Sequence, residues 1–135
     1  MVRGDEERLV ARPFLAWLRS EGWKVSDIKL GNKKGPDIQA VSPGGVRHVF
    51  EVKDHRTTSP SGTNPENTDM WTALGQILTR MGDKKARYGV VVPESARSWF
   101  ERNLSKEVCG LLQLQIFLVP RQRGGIVTRY PELLR

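Results

Sequence analysis

Two short runs of strand-forming residues, 37–41 (DIQAV) and 46–53 (VRHVFEVK), are separated only by Ser42, Pro43, Gly44 and Gly45. Nothing else in the chain constrains its fold so tightly. A gap this short leaves no room for a crossover, so the two runs are expected to pair as antiparallel neighbours. In a three-residue hairpin loop the last residue takes the left-handed conformation, which Gly45 adopts without steric cost. Ser42 then pairs with Val46, and counting back along both strands sets Asp37 opposite Glu51. A slip of one residue would turn every side chain to the other face.

Helical and strand patterns alternate around this hairpin. Residues 5–21 carry Val10, Phe14, Trp17 and Leu18 at helical spacing, with Asp5 as N-cap and Gly22 just past the end. Pro13 is expected to bend this helix or delay its regular start. Residues 23–30 read as a first strand, ahead of the hairpin. Residues 54–67 are rich in Thr, Ser, Pro, Asn and Gly, a long loop of the kind that is usually functional or mobile. A helix from residue 67 or 69 to 81, stopping at Gly82, would bury Trp71, Leu74, Ile77, Leu78 and Met81. Then come a buried strand at 88–92, a helix at 95–108 and a strand at 112–119, with a short strand at Ile126-Val127 in an arginine-bearing tail. The order αβββαβαβ predicts an α/β domain, a mixed sheet flanked by helices. With 135 residues and no internal repeat, a single domain over 1–135 is expected, with a basic C-terminal extension from about residue 120.

Charge narrows the function. Twenty-two Lys and Arg against fifteen Asp and Glu give a net charge of +7 and a pI near 10.0, which favours polyanionic partners, nucleic acid before anionic membrane. No apolar run approaches the roughly 20 residues of a membrane span. Asp5, Glu6 and Glu7 stand where a signal peptide needs an apolar stretch, so a cytoplasmic location is expected. The single cysteine, Cys109, excludes an intramolecular disulfide.

Alternation along the second hairpin strand puts Glu51 and Lys53 on one face, with Phe50 and Val52 on the other. In the predicted register Asp37 projects to the Glu51 face, with Cβ atoms about 4.5–5.5 Å apart. Two carboxylates that close need positive charge between them. Lys53 could provide it, and two hard carboxylates beside an open position also suit Mg²⁺, with the Val52 carbonyl as a further oxygen ligand. A lysine beside a metal-bound water can orient that water or take its proton. On the first helix Glu7 falls at the centre of the stripe of Val10, Ala11, Phe14 and Leu18, whereas Glu6 lies about 100° away. A core-facing glutamate needs a partner or a metal.

Pro36-Asp37, then Glu51-Val52-Lys53, behind a helix carrying Glu7, resembles the PD-(D/E)XK nuclease superfamily, which includes Holliday-junction resolvases and recombination nucleases. The αβββαβ order over roughly residues 5–93 is similar to that family's restriction-endonuclease-like core. The resemblance implies that Asp37 and Glu51 bind Mg²⁺, for which Mn²⁺ would substitute, and that Lys53 assists the attacking water. It implies that Glu7 completes the metal site. In recombination nucleases a glutamine on the next helix is followed four residues later by tyrosine; here Gln76 is followed by Arg80. The expected activity is metal-dependent hydrolysis of phosphodiester bonds in DNA. Lys33, Lys34, His55, Arg56 and Arg80 are candidate contacts to the DNA backbone. No sequence-reading module is evident, so specificity would come from DNA structure or from a protein partner, and cutting both strands would need a homodimer.

Plainer readings compete. Gly35-Pro36-Asp37 by itself reads as a turn, and Glu51 with Lys53 as a solvated pair. His48, His55 and the four tryptophans have packing or surface roles as their default. The chain would then be a non-catalytic nucleic-acid-binding module on the same fold, or an interaction or regulatory protein.

Overall fold

The structure, a computed structural model, describes residues 3–30, 35–54, 65–121 and 125–132, without the side chains of 3–8 and 65–66. Helix α1 (Arg3–Ser20) is followed by strands β1 (Lys24–Ile28), β2 (Ile38–Val41) and β3 (Arg47–Val52). Then come α2 (Pro65–Arg80), β4 (Arg87–Pro93), a single 3-10 turn (Glu94–Ala96), α3 (Arg97–Asn103), α4 (Lys106–Leu112), β5 (Leu114–Val119) and β6 (Thr128–Tyr130). All six strands form one mixed sheet in the order of the sequence. The pairs β1–β2, β2–β3 and β5–β6 are antiparallel, whereas β3–β4 and β4–β5 are parallel and joined by helical crossovers. The expected α/β class with a mixed, helix-flanked sheet is therefore the class observed. Among the described residues, no helix is long and apolar enough to cross a membrane.

The hairpin register is the one its turn chemistry predicts. Ser42 donates its N–H to the Val46 carbonyl at 2.9 Å, and Gly45 donates to the Ser42 carbonyl at 2.8 Å. Gly45 has φ of 86°, a conformation strained for any side chain-bearing residue. Ile38 pairs with Phe50 and Val41 with Arg47, which carries the count to Asp37 opposite Glu51 just beyond the last ladder pair.

Helices cover the sheet on both faces. On one face α1 buries Val10, Ala11, Phe14, Leu15 and Leu18 against Ile38, Ala40, Phe50, Val52, Val91 and Phe117. Phe14, Phe50 and Phe117 meet edge-on with ring centroids 5.0–5.5 Å apart, the geometry aromatic quadrupoles prefer. On the other face α2, α3 and α4 enclose Val49, Ala73, Ile77, Val90, Val92, Trp99 and Phe100. Successive β3 residues alternate between the two cores, so Phe50 and Val52 lie under α1 while Val49 and Glu51 face α2.

Four local expectations are corrected. Helix α1 runs from Arg3 through Pro13 without delay, and Asp5 lies inside its first turn rather than at its cap. The α2 stripe centres on Met70, Ala73, Leu74 and Ile77; Trp71, at 50% exposure, lies on the flank, edge-on to Trp99 at 5.0 Å, and Leu78 is also half exposed. The helix expected over 95–108 is broken at Leu104, which is extended with φ −133° and ψ 112°. Ser105 then caps α4, its Oγ accepting the Val108 N–H at 3.2 Å, because a serine there competes for the backbone better than it propagates a helix. The last strand is Thr128–Tyr130 rather than Ile126-Val127, since Val127 is turned into the α1 core before pairing begins.

Candidate functional site

Strand β2 leaves the β2–β3 ladder after the Ile38–Phe50 pair, and Asp37 is at the point of divergence. Its carbonyl accepts the Lys29 N–H at 2.7 Å, which ties it to the end of β1. Its carboxylate replaces the missing ladder bond on the other side: Oδ2 accepts the Val52 N–H at 2.8 Å. In an extended strand the N–H and C=O of one residue point to the same side, so the Val52 carbonyl also faces this gap. The Lys53 N–H points the opposite way and is held by the Val91 carbonyl at 2.8 Å, which keeps β3 fixed as β2 peels away.

Glu51 is 3% exposed and Asp37 9% exposed, so both carboxylates are withdrawn from bulk water. Burying a carboxylate is costly unless it gains partners. Glu51 has Arg80: Nε of the last α2 residue donates to Oε1 at 2.8 Å, and the same guanidinium donates through Nη2 to the Gly35 carbonyl at 3.1 Å. One arginine thus fastens α2 to β3 and to the segment leading into Asp37. Lys53, two residues beyond Glu51 and half-buried, follows the same alternation.

The structure brings together Asp37, Glu51, the Val52 backbone and Arg80, with Lys53 next along the strand. Gln76 lies one turn before Arg80 on α2 and is half-buried. Arg80, a candidate DNA contact, is engaged with Glu51. Glu7 is on α1 one turn ahead of Val10, but its side chain lies outside the described residues, as do Lys33, Lys34, His55 and Arg56.

Further features were invisible to sequence patterning. Asp54, just past β3, receives a 2.8 Å hydrogen bond from Arg121 Nη2. Both line a depression of about 140 Å³ with Val10, Pro93 and Val119, where the start of α1 meets the C-terminal ends of β4 and β5. Asp54 and Arg121 are far apart in the chain, and no local signal links them.

Asp37, Glu51 and the Val52 carbonyl are oxygen donors of the kind a hard divalent cation takes. Among the described residues no group of three or more His, Cys, Asp and Glu converges, so waters would have to complete the coordination.

No protein-family model matches the chain, and no curated protein matches it in sequence. Among solved structures, the chain is similar to an XisH family protein from Nostoc punctiforme, with a TM-score of 0.53 and 20% identity over 84% of this chain and 88% of that one. It is also similar to an fdxN element excision controlling factor protein from Anabaena variabilis, with a TM-score of 0.57 and 21% identity over 82% of this chain and 88% of that one. At these identities the likeness is one of fold.

Proposed function

We propose that the protein is a metal-dependent nuclease that hydrolyses phosphodiester bonds in DNA, on a sheet that forms a restriction-endonuclease-like core. The observation that carries this reading is the meeting of two buried carboxylates, Asp37 and Glu51, at a strand divergence with Lys53 next on the strand. The net charge of +7 supports a polyanionic substrate. Excision, the process named in the description of the Anabaena protein, is compatible with chemistry that breaks phosphodiester bonds.

Asp37, Glu51 and the Val52 carbonyl would hold Mg²⁺ or Mn²⁺. When bound, such an ion supplies charge neutralisation at the scissile phosphate and a bound water of lowered pKa. Lys53 would orient the attacking water or take its proton. Glu7, at the head of the α1 stripe, would extend the acidic set, and Gln76 would support it from α2. Lys33, Lys34, His55 and Arg56 would hold the DNA backbone without reading sequence, so affinity should fall steeply with salt. The enzyme would act in the cytoplasm, with a second copy for double-strand cuts and a partner protein for target choice.

A second reading has its own observation. Glu51 is neutralised by Arg80 and Asp37 is satisfied by a backbone N–H, so both carboxylates are accommodated without a metal. That is what a non-catalytic nucleic-acid-binding module, or an interaction protein, would need. The test is incubation with plasmid, linear, single-stranded and branched DNA in Mg²⁺, Mn²⁺ or EDTA, alongside Lys53→Ala. Metal-dependent cleavage that disappears in the variant supports the nuclease. Salt-sensitive binding without cleavage of any substrate would replace it with the binding module.

A further inference from the structure

The sheet face under α1 is apolar in its middle and cationic at one end. His48 and Arg87 are paired neighbours at the N-terminal ends of β3 and β4, and Arg129 is opposite Phe117 on β6. By strand alternation all three project to the α1 side. Helix α1 ends before covering them. They line a cavity of about 560 Å³, within the roughly 300–1,000 Å³ typical of small-ligand sites. Its walls include the indoles of Trp17 and Trp23.

Neither Arg87 nor Arg129 forms an ion pair with a described carboxylate, and Glu21 is the one carboxylate among the lining residues. The Arg129 guanidinium lies 5.7 Å from the ring centroids of both Trp17 and Phe117, a cation–π placement that leaves its hydrogen-bond donors available. The α1 C-terminus does not oppose an anion strongly, because its last carbonyls are taken up by Glu21, Gly22 and Trp23 N–H groups at 2.9–3.2 Å. His48 is buried, edge-on to Trp23 at 4.6 Å, with Nδ1 3.1 Å from the Val46 carbonyl. Burial, and then the charges of Arg87 and Arg129, lower its pKa, while the Val46 contact opposes them. A neutral ring that donates from Nδ1 keeps Nε2 as an acceptor.

We propose that this cavity binds a nucleoside monophosphate, with the phosphate on Arg87 and Arg129 and the base against the wall that Trp17, Trp23 and His48 form. Guanidinium forks match phosphate oxygens, indoles accept planar rings, and an exocyclic amine would meet the His48 acceptor. The same chemistry is presented by a free nucleotide and by the phosphorylated end of a strand. This site is distinct from the carboxylate pair, since Asp37 and Glu51 lie toward the other end of β3 and Glu51 faces α2 across the sheet.

The test is calorimetric titration of the full chain in EDTA, so that the carboxylate site holds no metal. The titrants are deoxyadenosine monophosphate, deoxyadenosine and inorganic phosphate. The nucleotide should bind, with each fragment alone at least about tenfold weaker, and Arg87→Gln or Arg129→Gln should lose about tenfold or more. Asp37→Asn should leave the affinity unchanged, which separates this site from the nuclease reading. If Arg129→Gln fails to fold after losing its cover over Trp17, Arg87→Gln decides. No binding at about 1 mM nucleotide, or affinity unchanged by Arg87→Gln, would overturn the proposal. Short oligonucleotides with a 5′-phosphate or a 5′-hydroxyl identify the source. A tighter phosphorylated strand points to a strand end; two oligonucleotides that are equal and both weaker than the mononucleotide point to the free nucleotide. Either result upholds the site.

Discussion

Arg80 reaches from the last turn of α2 to Glu51 on β3 and holds its Oε1 at 2.8 Å. The Glu51 side chain is 4% exposed and the Arg80 side chain 33%, so the pair is shielded on one side and open on the other. It serves packing, because it joins a helix to the sheet. It also sets the charge of the candidate site, because one carboxylate of two is already neutralised.

Removing that cation leaves Glu51 buried without its partner. Arg80→Ala should destabilise the protein by about 1–3 kcal/mol, below the cost for a fully buried pair because Arg80 is partly solvated. Adding Glu51→Gln should recover part of the loss. Under the nuclease reading Mg²⁺ should raise the melting temperature of Arg80→Ala more than that of the parent, since the ion would then meet an unoccupied carboxylate. Equal shifts in both proteins, by differential scanning fluorimetry, would count against a cation at Glu51.

The two roles of Asp37 can be separated by two substitutions. Asp37→Asn retains an oxygen for the Val52 N–H and should change stability little, whereas Asp37→Ala leaves that buried donor unmet at a cost of about 1–3 kcal/mol. Under the nuclease reading both should abolish metal-dependent cleavage. Denaturant melts read alongside a cleavage assay check this, and an active Asp37→Asn would remove Asp37 from the metal site.

Gly89 marks where the α1 core has no room. A Cβ there would lie 2.6 Å from Phe50 Cδ1 and 3.1 Å from Phe117 Cε1, in a packed aromatic cluster. Gly89→Ala should cost about 1–3 kcal/mol through displaced rings, visible as a lowered denaturation midpoint. Gly75→Ala, where nothing lies within 4 Å, should be neutral or mildly stabilising as an exposed helix position.

His48 predicts a pH slope of defined sign. Burial first, then Arg87 and Arg129, hold its pKa below the ordinary histidine value of about 6.5. Between the lowered native value and 6.5 the unfolded chain binds more protons than the native one, so stability rises with pH there and levels off above it. Acidifying through that window should destabilise the protein, and His48→Gln should flatten this part of the profile. A slope unchanged in His48→Gln would assign it to other groups.

Cys109 is fully buried, and burial pushes its thiol up to about 11. Near neutral pH it should stay unreactive to thiol reagents in the native protein and react on unfolding. Rapid native labelling, followed by absorbance of a released thiolate, would show that α4 opens locally.

Some of this was determined by local chemistry alone. The hairpin register followed from a three-residue loop, Pro43-Gly44-Gly45, with Gly45 at a positive φ, and the register in turn set Asp37 opposite Glu51. The stripe of α1 was equally legible, since Val10, Phe14 and Leu18 have one buried solution. The α2 stripe was not, because Trp71 and Leu78 match helical spacing as well as Met70 and Ala73 do, and contact with Val49 and Val90 chose between them. The break at Leu104 is also met from a distant strand, where the Tyr130 hydroxyl donates to the Leu104 carbonyl. The same holds for the charges: spacing along a strand aligned Glu51 with Lys53, but Arg80 is on another element, and only the docking of α2 on the sheet made it the partner of Glu51. Periodicity reports which face a residue takes within its own element; which residue meets it from another element is decided when the elements pack.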